Sequence, residues 1–348
     1  MVDMRQIFLF TDYRNQFYSS TKYRGAAVDT QRLSEQFANL GFELVVQPLA
    51  KIDFRNHDYK DQWILYQSSE DPDLKYRSYI DDLILGLHLQ GARLIPSLGY
   101  FRAHHNKNFL EILRDLHPLQ EIKNISSACY GTYEDYAQDF SLYAEGKYVL
   151  KASATSKSKG VALLRTSKEK TYLPKKISGS PSFQNLRYYL EWFRSGKNPL
   201  MISNHRNKFV VQNYVDGLDG DYRVVVYGNK FYVLYRANRE KDFRASGSMK
   251  FNYDIEVPQG LLDFSKKVFE SFDVPYMALD IGMKGHDFYL FEFQFLSFGQ
   301  YTLEKSRFNY QLFDGTWQKV IETPDLEREI ANSAASYIKR QDTKLCVE

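Results

Sequence analysis

At 348 residues the chain is long enough for two or three compact lobes, each with its own core, which excludes a single small module. Its 46 Lys and Arg against 43 Asp and Glu leave a net charge of +3, so no global field marks a nucleic-acid or membrane-surface protein. The two cysteines, Cys129 and Cys346, supply neither a disulfide framework nor a thiolate zinc cluster, and no apolar stretch approaches membrane-spanning length. A soluble protein of the reducing cytoplasm is the expectation.

In chain order, Gln6 to Phe10 predicts a strand, Val28 to Leu40 a helix stopped by Gly41, and Phe42 to Val46 a second strand. Trp63 to Tyr66 continues the rhythm as a strand, followed by a helix through Tyr79 to Leu89 and a strand at Ala92 to Ile95. Such alternation argues for a small, mostly parallel α/β sheet over the first hundred residues or so, with strand ends facing a cleft. A helix at Phe109 to Leu116 comes next. Lys147 to Lys151 and Val161 to Leu164 then read as antiparallel strands joined by a polar tract, and Gln184 to Phe193 as a helix. From Phe209 the pattern is sheet-rich: Phe209 to Tyr214, then Tyr222 to Tyr227 and Phe231 to Tyr235 around a Gly228-Asn229 hairpin turn. Amphipathic helices at Leu261 to Phe272 and Leu326 to Ile338 flank a final strand pair.

That pair carries the most informative residues. Asp280 ends the apolar run Tyr276 to Leu279, and Glu292 and Gln294 sit inside the Phe-rich run Phe288 to Phe295. Alternation puts Phe288, Leu290, Glu292 and Gln294 on one face. A carboxylate on so apolar a strand needs a cation, an Arg or Lys partner, or a solvent-lined cleft. Two acids plus an amide oxygen suit Mg²⁺, which leaves coordination sites for phosphate oxygens; an edge strand with solvated acids is the equal alternative.

Three further segments carry charge in suggestive places. The tract from Lys151 to Val161, with Lys157 and Lys159, pairs small residues with lysines, as a loop over phosphates would; a basic surface loop fits it too. Gln212-Asn213-Tyr214-Val215 runs into an acidic Gly-rich turn from Asp216 to Arg223, where backbone groups could read adenine and an Asp could hold a ribose, or which is simply a hairpin connection. Arg236, Arg239 and Arg244 cluster downstream, and a planar guanidinium suits phosphate or carboxylate.

Taken in order, the lysine loop, the Gln-led turn, Asp221-Tyr222-Arg223, Asp242-Phe243-Arg244 and the acid pair resemble the ATP-grasp superfamily, in particular carboxylate-amine ligases of the ribosomal-protein glutamate ligase and glutathione synthetase type. The likeness covers about Lys107 to Glu304 and is strongest from Gln212 to Gly299. It implies an α/β fold with an N-terminal parallel lobe (1–106), a central lid (107–210) and a C-terminal mixed-sheet lobe (211–348). It further implies that Lys107, Lys151 and Lys159 meet the phosphates of ATP, that Gln212, Asn213, Tyr214 and Val215 form the adenine hinge, and that Asp221 holds the ribose, with Asp216 and Asp219 as alternatives. Arg223, Arg236 and Arg244 would stabilise the transferring phosphoryl and acyl-phosphate groups beside Ser246, and Asp280, Glu292 and Gln294 would hold Mg²⁺. Two positions depart from the pattern: Gln294 stands where Asn is usual, and Asn213 where Glu is common.

The resemblance implies an ATP-dependent ligase whose partners are small carboxylates and amines, such as an amino acid, peptide or sugar acid, with neither nucleic acid nor membrane among them. A kinase-type phosphotransferase and a non-catalytic ATP-binding protein are the alternatives. His104 and His105 are expected to flank Lys107 structurally, and Ser68-Ser69-Glu70 either to contact the acceptor or to cap a helix.

Overall fold

The structure, a computed structural model, describes residues 4–17, 27–69, 74–154, 160–197, 201–238 and 250–345, without the side chains of Leu186 and Leu345. Two compact units are present. One comprises Met1–His104, Gly220–Arg239 and Ser248–Glu348; the other holds His105–Asp219.

The first unit begins with strand β1 (Arg5–Thr11), helix α1 (Thr30–Asn39), β2 (Phe42–Pro48), β3 (Trp63–Leu65), α2 (Lys75–Leu89), β4 (Arg93–Ile95) and α3 (Leu98–Ala103). All pairings are parallel, in the order β2-β1-β3-β4. The continuous apolar run of β1 reflects burial on both faces, as an inner parallel strand requires. Ile7 and Leu9 join Leu33 and Phe37 of α1 on one side, and Phe8 and Phe10 join Ile80, Ile84 and Leu87 of α2 on the other. Asp29 caps α1 by accepting from the Gln31 and Arg32 amides at 3.0 and 3.1 Å.

The second unit contains α4 (Lys107–Leu116), β5 (Ser127–Tyr130), α5 (Tyr133–Gln138), β6 (Tyr148–Ala152), β7 (Val161–Leu164), α6 (Ser167–Ile177), α7 (Phe183–Ser195) and β8 (Phe209–Asn213). Its sheet is antiparallel in the order β5-β8-β6-β7. One face buries Tyr130, Leu150, Leu164, Phe209 and Val211 against Tyr136 and Tyr143, whose rings stack at 5.2 Å. Toward the other face lies α4. Capping boxes, Thr132 with Asp135 and Thr166 with Glu169, start α5 and α6.

Returning to the first unit, β9 (Gly220–Tyr227), β10 (Lys230–Ala237), β11 (Phe251–Asn252), α8 (Leu261–Phe272), β12 (Tyr276–Lys284), β13 (Asp287–Gln294), α9 (Tyr301–Lys305), β14 (Phe308–Phe313), β15 (Thr316–Ile321) and α10 (Leu326–Leu345) complete the chain. The seven strands run β13-β12-β9-β10-β14-β15, with β11 beside β10. Gly228, at φ +58°, turns the β9–β10 hairpin as predicted. The β14–β15 hairpin was not expected, although Asp314-Gly315, with both φ positive, is the turn chemistry that makes it. On α10, Ile330, Ala331, Ala334, Ala335 and Ile338 pack in one core with Ile7 and Leu9 of β1 and Val225, Tyr232 and Ala278 of the larger sheet. The parallel and seven-stranded sheets thus share a core, and no helix among the described residues is long and apolar enough to cross a membrane.

Candidate active site

Register builds the site. Asp280 of β12 lies opposite Arg223 of β9 on one side and Glu292 of β13 on the other, while Ala278 faces Gln294 and Val225. Across the next pairing Arg236 of β10 faces Asp221. One face of three adjoining strands plus β13 therefore collects Glu292, Gln294, Asp280, Arg223, Asp221 and Arg236, beyond the apolar stretch that packs on α10. The alternation expected for β13 is interrupted at a bulge: Leu290 pairs with Ile281, not on the Asp280 register, so Glu292 and Gln294 share a face that Leu290 does not extend.

The six side chains interlock. Arg236 donates from Nε and Nη2 to the two oxygens of Asp221 at 2.6 and 2.7 Å and lies 2.8 Å from Asp280 Oδ2. Arg223 donates to Asp280 Oδ1 at 2.9 Å and to Gln294 Oε1 at 3.2 Å, and Gln294 Nε2 donates to Glu292 Oε1 at 3.1 Å. Arg236 is 3% exposed, Arg223 6%, Asp280 8% and Asp221 9%, whereas Glu292 and Gln294 are half-buried at the open edge. Gly220 makes this approach possible, since a Cβ there would sit 2.3 Å from the Arg236 carbonyl oxygen.

Burial works against the charge on Asp280, but Arg236 and Arg223 outweigh it and hold its carboxyl below the usual carboxylate range. At Asp221 burial wins over Arg236, and the carboxyl is pushed up. Burial opposes the charge on Arg236 as well, yet Asp280 and Asp221 keep its guanidinium firmly protonated. Three carboxyl groups face two guanidiniums, which leaves up to one unit of negative charge over at the half-buried edge. The Nε of Arg223 is buried without a hydrogen-bond partner among the described residues.

A hard divalent cation fits this donor set in charge and in oxygen chemistry. It does not fit as a ready-made cage: no group of three or more His, Cys, Asp or Glu among the described residues could hold a metal alone. A cation here would take Gln294 as a ligand and look to a bound substrate for the rest, and both Asp280 oxygens would have to be released by arginine.

In the second unit Lys107 is the first residue of α4, capped by Asn106, and its amide donates to the Ser153 carbonyl at 3.1 Å, two residues beyond Lys151. Lys208, which carries no sequence signal as a lone residue before a strand, joins them: its Nζ reaches Asn106 Oδ1 at 2.8 Å, and Ser153 Oγ donates to the same oxygen at 3.3 Å. Gln212 is committed elsewhere. It is 2% exposed and donates to Glu111 at 3.3 Å, within a network that includes Arg114 and Ser127. Asn213 ends β8 exposed, its amide donating to Ser126, and Tyr214 and Val215 follow half-buried. Asp216 pairs with Lys147 at 3.2 Å. Asp221 lies in β9 and not in the turn, so its carboxylate faces Arg236. Ser68 is buried after β3 with no partner for its hydroxyl among the described residues, and the His104 carbonyl accepts from Arg77. Glu70, Lys159, Arg239, Arg244 and Ser246 lie outside the described residues.

Solved structures align over nearly the whole chain. A RimK-domain ATP-grasp protein from Sphaerobacter thermophilus superposes with a TM-score of 0.52 at 14% identity, over 96% of this chain and 98% of that one. The fold is ATP-grasp. D-cycloserine synthetase gives 0.55 at 11% identity over 95% and 99%, and a RiPP-associated ATP-grasp ligase of Chryseobacterium gregarium, solved with ADP and a leader and core peptide, gives 0.52 at 12% over 94% and 96%. No protein-family model and no curated protein matches the sequence. The ATP-grasp assignment accords with the mixed α/β architecture expected from the sequence, including the parallel N-terminal sheet.

Proposed function

We propose that the protein is an ATP-dependent ligase that joins a carboxylate to an amine. The carboxylate attacks the γ-phosphorus, the bond to ADP breaks, and the resulting acyl phosphate is captured by the amine, which releases inorganic phosphate and forms the amide. The ATP-grasp fold supports this reading at the level of the reaction class. The observation that carries it is the convergence of Asp280, Glu292 and Gln294 with Arg223 and Arg236 on one sheet face, with Asp280 and both guanidiniums buried and Glu292 and Gln294 half-buried at the edge.

In this reading Glu292, Gln294 and Asp280 hold Mg²⁺, which when bound neutralises phosphate charge. Arg223, whose Nε has no partner among the described residues, and Arg236 turn toward the transferring phosphoryl group, and Arg244 and Ser246 assist them. Lys107, Lys151 and Lys159 neutralise the nucleotide phosphates, and the backbone of Asn213 to Val215 grips the adenine. Because Asp221 is spent on Arg236, it acts as the group that positions that arginine, and Asp216 or Asp219 serves the ribose. Substrates are small or peptidic carboxylates and amines.

Glu292→Ala should abolish ADP release that depends on both a carboxylate and an amine while the chain stays folded; retained release defeats the assignment. The occupied state of Asp280 adds a second test. Mn²⁺ binding, followed by electron paramagnetic resonance, should be weak until a non-hydrolysable ATP analogue draws the arginines away, and tight binding without nucleotide contradicts this order.

A further inference from the structure

Helix α7 in the second unit has no role in the chemistry above, and its surface is unusual. Of its described side chains only Asn185 is buried, anchored by bonds to Ile202 and Asn204 of 2.7 to 3.0 Å. Phe183, Tyr189, Leu190, Trp192 and Phe193 are 93, 59, 55, 46 and 87% exposed. With about 100° of rotation per residue, Tyr189, Leu190, Phe193 and Phe183 form one stripe with Trp192 at its margin, and Gln184, Arg187, Glu191 and Ser195 form the opposite side. That polar side is exposed too. A helix of this length with so little packing is marginal by itself, and a contiguous apolar stripe in water marks an interaction surface.

Charge says what kind of surface it meets. Residues 160–210 hold ten Lys and Arg but only two acids, Glu169 and Glu191, each of which pairs locally with Arg165 or Arg187 at 3.3 and 3.2 Å. This stretch therefore carries +8 in a chain of net +3, and the remainder carries −5. Lys168, Lys175, Lys176, Arg194, Lys197 and Arg206 are all exposed. The complement is anionic.

Shape then separates the possible occupants. The stripe is an exposed helix face, so a polypeptide partner would have to supply a matching groove for it. A lipid surface accepts a convex helix lying flat, with aromatic and leucine side chains in the headgroup–acyl boundary and basic groups above it. We propose that α7 docks this protein onto an anionic lipid surface, with the exposed basic residues Lys168, Lys175, Lys176, Arg194, Lys197 and Arg206 over the headgroups. The whole-chain charge, from which no membrane partner was expected, averages this segregation away.

Co-sedimentation of the full chain with vesicles tests the idea. Phosphatidylcholine vesicles with about a third phosphatidylglycerol should bind it and pure phosphatidylcholine should not, and raising salt from about 0.1 to 0.5 M should weaken binding. Phe183→Ser combined with Phe193→Ser should lower partitioning at least about tenfold with circular dichroism and ADP release unchanged. Trp192 emission should shift to the blue on binding, and Trp192→Tyr should lose the shift. Absence of binding to anionic vesicles, equal binding to neutral ones, or undiminished binding of the double variant overturns the proposal. Binding to a glutamate–phenylalanine copolymer without vesicle binding also overturns it and assigns the stripe to an acidic polypeptide.

Discussion

Two buried charge networks lie on two antiparallel sheets of this protein, and only one has the makings of an active site. In the second unit Arg114, Glu111 and Gln212, at 0, 1 and 2% exposure, close on Ser127 and the Ile122 carbonyl. Glu111 pairs with Arg114 at 2.8 Å, and of the residues just named only Ser127, at the rim, is half-buried. In the first unit three acids meet two guanidiniums, the outer pair Glu292 and Gln294 stays half-buried, and the Nε of Arg223 has no partner among the described residues. Burial of an ion pair is therefore no mark of function by itself. Unbalanced charge at an open edge is the better sign, because it leaves something for a ligand to complete.

The comparison can be broken experimentally. The largest effect is expected at the open edge: Glu292→Ala should lower turnover by at least about a hundredfold while leaving the melting temperature within about 2 °C. Arg236→Met should damage both properties, because it strands Asp221 as an unpaired buried acid and leaves Asp280 with Arg223 alone. A loss of about 3 to 5 kcal/mol in urea unfolding is expected along with loss of ADP release. Arg114→Met should cost a similar 3 to 5 kcal/mol by stranding Glu111, yet leave kcat unchanged at a temperature where the variant is folded. If Arg114→Met instead abolished kcat in the folded variant, the second network would belong to the site and the distinction would fail.

The smallest effect is in acid. A carboxyl whose pKa falls on folding contributes stability above its unfolded value and loses it as pH drops through the folded value, which is the case of Asp280. Asp221, raised on folding, has the opposite sign and favours the folded state at low pH. Asp280→Asn should thus flatten the fall of melting temperature below about pH 4, and Asp221→Asn should not. Differential scanning calorimetry between about pH 5 and 2.5 reads both slopes; equal slopes in the two variants would contradict the assignment of sign.

Much of the fold was legible because local pattern and tertiary structure agree in it. Apolar runs marked β1, β2 and β9, with Gly41 before the second and Gly220 and Gly228 around the third, the 3.6-residue period marked α8 from Leu261 to Phe272, and Gly228-Asn229 marked its hairpin. The Asp314-Gly315 turn was as explicit, but its second strand, Thr316 to Ile321, is mostly exposed and lacks a clear apolar face. The bulge at Phe291 had no local signature, since it depends on how β12 and β13 meet.

By composition and order alone the sequence determined the residue types at the site and the likeness to ATP-grasp enzymes, because acids and amides inside apolar strands are costly enough to stand out. Tertiary structure decided what each group does with its charge. Asp221 turned out to be a partner of Arg236, Gln212 a partner of Glu111, and Asp280 a carboxylate held by two arginines. Those pairings rest on register between strands far apart in the chain, and register is set by the packing of whole sheets.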